Sequence, residues 1–104
     1  MGTLHLKDLI DEKILNDRKV FLWGQVDDAS ARHVVERLLY LELQQPGKEI
    51  QLIINSPGGY VTAGFSIYDT MKSISSPVST ICSGFAASMA SILLSAGEKA
   101  GASS

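Results

Sequence analysis

One cysteine, one tryptophan, three prolines and two histidines are spread through 104 residues, and each scarcity excludes something. With Cys82 alone there is no disulfide framework and no zinc spacing. Basic residues number 9 against 11 acidic ones, so no basic patch is expected to draw nucleic acid or an anionic membrane. There is no charged-then-apolar leader pattern and no apolar run of about 20 residues long enough to cross a bilayer. The expectation is a cytoplasmic, reducing location with neither nucleic acid nor membrane as partner. The length supports one small core, burying roughly 60–70% of the surface its unfolded chain exposes.

What is present alternates between two periods. Leu6, Leu9, Ile10 and Ile14 recur at helical spacing with Lys7, Asp11, Glu12 and Lys13 between them, which predicts an amphipathic docking helix within residues 1–17. Val20 to Trp23 reads as a strand ended by Gly24. Asp27 or Asp28 then caps a helix from Ser30 to about Gln45, with Ala31, Val34, Val35, Leu38, Leu39 and Leu41 on its apolar face and Pro46-Gly47 as its stop. Ile50 to Asn55 has the near-continuous apolar run of a parallel strand covered on both faces. A helix from about Thr62 carries Ile67, Tyr68, Met71 and Ile74 inward and ends before Pro77. Val78 to Cys82 makes a third strand, Gly84 a turn, and Ser88 to Ala96 a last helix that Gly97 terminates in the left-handed conformation. The tail from Ala100 to Ser104, all small residues, reads as frayed or artificially ended.

This order predicts an α/β domain with a mainly parallel sheet and right-handed crossovers. Both marked turns, Ser56 to Gly59 and Ser83 to Ala87, follow strands and therefore meet at the carboxyl edge of one sheet, where ligands bind in open α/β folds. Asn55-Ser56-Pro57-Gly58-Gly59 offers backbone N–H groups to a developing oxyanion. Gly84-Phe85-Ala86-Ala87-Ser88-Met89-Ala90-Ser91 offers a serine at a helix start. Together they have the form of a serine-hydrolase site. A serine needs a base, however, and His5 and His33 both precede it; only Glu98 and Lys99 titrate usefully after Ser88.

Phe21 to Val26, Leu52 to Gly59, Thr62 to Met71 and Gly84 to Ala90 resemble, in order and spacing, the proteolytic subunit of the Clp protease, in its N-terminal and central part. The likeness runs from about Val20 to Gly97. It implies a Clp-protease/crotonase-type fold of repeated βαβ units, Ser88 as nucleophile, and the backbone N–H groups of Gly59 and Met89 as oxyanion hole. Losing one such donor costs about 2.7–4 kcal/mol of transition-state stabilisation. The resemblance also implies unfolded polypeptide substrates, heptameric rings stacked in pairs, and a hexameric AAA+ unfoldase that consumes the ATP, leaving this chain without a cofactor or metal of its own. The family takes its histidine and aspartate from segments beyond the serine helix, so the chain is expected to be a single incomplete domain over 1–104, truncated after that helix.

Each signal also has a plainer meaning. Ser-Pro-Gly-Gly alone is a strand-ending turn, and Ala86 to Ala90 alone is a close helix contact; their pairing at this spacing is what favours the site. Ser83 and Ser91 are decoys, Cys82 is expected to be a small core residue, and His33 a solvated one. Met89 is expected to matter through its amide, its side chain varying more freely than its backbone position. Asp69 and Tyr68 read as surface and packing residues. A crotonase-like acyl-CoA enzyme would use the same two amides on a thioester enolate but needs no serine there. A serine–lysine peptidase would require Lys99 to reach Ser88 along eleven residues of helix, about 16 Å. The non-enzyme alternative is a catalytically silent ring component that joins full-length subunits.

Overall fold

A computed structural model describes residues 5–97. The helical and strand periods resolve into α1 (Leu6–Asn16), β1 (Lys19–Trp23), α2 (Asp28–Gln44), β2 (Ile50–Ser56), α3 (Val61–Ser73), β3 (Val78–Ala86) and α4 (Met89–Ala96). The three strands form one parallel sheet in the order β1-β2-β3. Of the two candidate caps for α2 it is Asp27 that serves. Its side chain accepts from the Ser30 N–H at 2.9 Å, and the Ser30 hydroxyl accepts from the Asp27 N–H at 2.9 Å, a reciprocal capping box.

The core joins alternate strand residues to the helices: Val20, Leu22, Ile50, Leu52, Ile54 and Val78 pack with Val34, Leu38, Leu41, Ile67, Met71, Ala90 and Leu93. β2 is buried on that face only; Gln51, Ile53 and Asn55 are half-buried. The expectation of a strand covered on both faces is therefore corrected. The reason is topological: strands added in sequence order through right-handed crossovers place α2 and α3 on the same side of the sheet. Leu39, expected inside, is 44% exposed. The apolar stripe of α1 is also open, with no buried residue and Leu6 72% exposed.

The end of the fold where α2 finishes is closed by a residue that periodicity did not single out. Arg18 is buried, sits at φ 58, and its guanidinium donates to the carbonyls of Leu41, Gln45, Lys48 and Glu49 and to Ser76 Oγ at 2.8–3.3 Å. A helix C-terminus carries unpaired carbonyls and partial negative charge. The last turn of α2 has no basic residue of its own, and Arg18 supplies that charge from the start of the sheet. Beside it the Glu42 carboxylate accepts from the N–H and hydroxyl of both Ser75 and Ser76. Those hydrogen bonds hold its pKa down to about 2.

β3 runs four residues past Cys82, the expected end. Pairing shifts from Ile54 opposite Cys82 to Ser56 opposite Ala86, an irregularity that contains Gly84 at φ 95. Gly84 is thus a bulge residue inside the strand rather than the turn. Cys82 is exposed, not a core residue: burial along β3 ends with Thr80. Gly97 follows α4 at φ −69, so the helix ends without the left-handed cap. A Cβ there would strike Thr80, and close packing is what the glycine serves. Glu98, Lys99 and the tail from Ala100 to Ser104 lie outside the described residues, as do Met1 to Leu4.

Candidate functional site

Because β2 and β3 are parallel, their carboxyl ends bring Ser56 and Ala86 to the same edge. Two hydrogen bonds then shape the turn that leaves β2. The Gly58 N–H donates to Ser56 Oγ at 3.0 Å, and the Val26 N–H donates to the Gly58 carbonyl at 2.8 Å. The Tyr60 N–H returns to the Val26 carbonyl at 2.8 Å, so Val26 clamps the turn from both sides. A trans peptide points its N–H opposite its C=O. With the Gly58 carbonyl turned to Val26, the Gly59 N–H faces away from it. Gly59, at φ 158, lies so close to Val26 that a Cβ would land on the Val26 carbonyl.

Ser88 stands where β3 gives way to α4, at φ 54 and ψ −128, and its side chain is exposed. Such a backbone is uncommon for a residue with a Cβ and stores strain of order 1–3 kcal/mol. It is the form of strand-to-helix elbow that lifts a nucleophile clear of a sheet edge. The Ser88 carbonyl accepts from the Ser91 N–H at 3.0 Å and from Ser91 Oγ at 2.7 Å, which pins the first turn of α4. Ser91 therefore serves the helix, as expected of a decoy.

The two halves touch. A Cβ on Gly58 would lie 2.6 Å from Ser88 Cβ, 2.9 Å from the Ala87 carbonyl oxygen and 3.2 Å from the Met89 nitrogen; only glycine, here at φ 102, permits the approach. The Ala87 N–H also donates to the Ser56 carbonyl at 3.1 Å. Among the described residues the N–H groups of Gly59 and Met89 have no hydrogen-bond acceptor, whereas those of Gly58, Tyr60, Ala87, Ala90 and Ser91 are all engaged. Two free donors beside an exposed serine are what an oxyanion needs.

The Met89 side chain is held in place as well as its amide. It is buried and lies over Gly64 of α3, where a Cβ would collide with its Cγ and Cε. The small residue on one helix and the thioether on the other fit as a pair. The base is absent from this constellation. Ser88 Oγ makes no hydrogen bond among the described residues. His33 lies in a groove of about 40 Å³ with Asp11, Ile14, Leu15, Phe21 and Arg37, on the side of the sheet edge formed by β1. It is exposed, and burial by its neighbours together with Arg37 lowers its pKa. No group of three or more potential metal ligands occurs among the described residues, and no helix there is long and apolar enough to cross a membrane.

Turn chemistry marked Ser56 to Gly59 and a serine at a helix start, and the family resemblance singled out Gly59 and Met89; neither showed the contacts by which Val26, Ser56, Gly58 and Gly64 shape their surroundings. A serine two places before a glycine is a recognisable hydroxyl-turn signal and marks Ser56; nothing local marks Val26. With this geometry established, comparison with protein families matches residues 4–102 to the model described as Clp protease.

Proposed function

The chain belongs to the Clp protease family, and from that premise we propose that it is a proteolytic subunit, a serine endopeptidase whose nucleophile is Ser88. The observation that carries the reading is a pair of N–H groups, Gly59 and Met89, without an acceptor among the described residues, at the edge where a serine is held at φ 54. In acyl transfer Ser88 Oγ attacks the peptide carbonyl as its proton passes to a base. The carbonyl oxygen gains negative charge and takes hydrogen bonds from Gly59 and Met89. Collapse breaks the C–N bond, the leaving amine takes the proton, and water then releases the acyl group from Ser88. The base is a group other than the described histidines, supplied from outside the described residues. Self-association into rings and delivery of unfolded polypeptide by an AAA+ unfoldase belong to the same proposal by family resemblance.

The test is a fluorophosphonate probe on the 104-residue chain beside Ser88→Ala, read by intact mass. The expected result is one adduct, lost in the variant. An adduct that persists in Ser88→Ala would assign the nucleophile elsewhere. That Ser88 Oγ makes no hydrogen bond among the described residues favours a second reading, a catalytically silent ring component. Mixing the chain with an active homologue decides it: no co-purification and unchanged peptide turnover would exclude that role. The crotonase alternative is weaker, since a thioester enolate needs the two donors but not a strained serine between them; failure of an acyl-CoA to exchange its alpha protons would dismiss it.

A further inference from the structure

We infer that Ser56 is a positioning residue for this site, through its hydroxyl. The inference rests on the reading of Ser88 as nucleophile. Ser56 ends β2, is fully buried, and contacts both halves of the site. Its Oγ accepts the Gly58 N–H at 3.0 Å and its carbonyl accepts the Ala87 N–H at 3.1 Å. The next residue after each of those donors is one of the site's own: Gly59 after Gly58, Ser88 after Ala87. Ser56 is as fully buried as Leu52 and Ile54 on the same strand face, and burying a hydroxyl is costly unless it is hydrogen-bonded, so burial alone does not account for one there.

The hydroxyl does two things. It engages the Gly58 N–H, which would otherwise be a buried donor without a partner; it thereby fixes which N–H of the turn stays open, that of Gly59. It also holds Gly58 at φ 102 against Ser88. Glycine has little intrinsic preference among backbone conformations, so the Pro57-Gly58-Gly59 turn depends on external hydrogen bonds for its shape. Val26 fixes one peptide of it and Ser56 the one before.

The experiment compares the ¹⁵N-labelled 104-residue chain with Ser56→Ala, which removes the hydroxyl, and Ser56→Thr, which keeps it. In Ser56→Ala the amide resonances of Gly58, Gly59 and Met89 are expected to move and Gly58 hydrogen exchange to speed roughly tenfold, with Leu22 and Ile54 unchanged. Ser56→Thr should restore the native pattern. Where the native chain takes the fluorophosphonate at Ser88, Ser56→Ala should slow the labelling step by roughly tenfold to a hundredfold without raising the half-saturating probe concentration. Failure of the native chain to label counts against the Ser88 reading, whereas the resonances still decide the role of Ser56. A folded Ser56→Ala with Gly58, Gly59 and Met89 resonances unmoved overturns the inference. Should the alanine variant not fold, Ser56→Cys, of similar volume but a poor acceptor, carries the same comparison.

Discussion

The two ends of the sheet handle unpaired backbone in opposite ways. At the end where α2 stops, Arg18 and Glu42 saturate it: one guanidinium takes four carbonyls and a hydroxyl, and one carboxylate takes four donors. At the carboxyl edge, glycines and a strained serine leave the N–H groups of Gly59 and Met89 open among the described residues. Long charged side chains close one end; residues with small or no side chains keep the other accessible. The lesson is that the saturated end and the open edge are held apart within a single small core, so that strain at Ser88 is carried by a framework tied down elsewhere.

That separation can be broken most severely at Arg18. Arg18→Met leaves the carbonyls of Leu41, Gln45, Lys48 and Glu49 without their donor, and urea unfolding should show a loss of about 3 kcal/mol or more. A domain of ordinary stability, about 5–15 kcal/mol, would be left marginal, with labelling of Ser88 falling only as the folded fraction falls. Gly58→Ala should do the reverse. Its Cβ meets Ser88, so labelling is expected to drop roughly a hundredfold, equivalent to about 2.7 kcal/mol in the barrier, with a smaller change in the urea midpoint.

Asp27→Ala tests the link between the ends. Loss of the capping box should cost about 1 kcal/mol. Because the cap directly follows Val26, amide exchange at Gly58 and Tyr60 should quicken more than at Arg18. The smallest effect is acid sensitivity at the closed end. Glu42 has its pKa lowered from an ordinary 4.5 to about 2 by Ser75 and Ser76. A depressed carboxylate contributes stability that is present above about 4.5 and lost as pH falls toward 2. Urea midpoints measured across that range should decline for the native chain and less steeply for Glu42→Gln.

Much of the fold was legible because helical and strand periods are local. The spacing of Val34, Leu38 and Leu41, the stop at Pro46-Gly47 and the strand before Ser56 all appear where composition and turn chemistry put them. So does Ser88 at a helix start after a strand. Cys82 and Gly84 depart from expectation because a bulge extends β3; the glycine inside that run is compatible with a turn or a bulge, and only the pairing with Ser56 decides between them. Arg18 was invisible as a clamp because its partners lie 23 to 58 residues away. The packing of the Met89 side chain is equally hidden, because Gly64, the surface it lies on, is 25 residues earlier in sequence.

By itself the sequence determined the alternation of elements, the parallel sheet and the placing of Ser88 beside a glycine-rich turn, since these follow from hydrophobic period and short-range backbone preference, and the likeness of its segments to known ones marked the family. Only the tertiary structure decided which amides remain open, because that depends on where Val26, Ser56 and Ser88 arrive in space. It alone decided, too, that the helices share one face and that a buried arginine closes α2. Hydrogen bonds between distant segments are written in no local pattern; they exist only once the chain has folded.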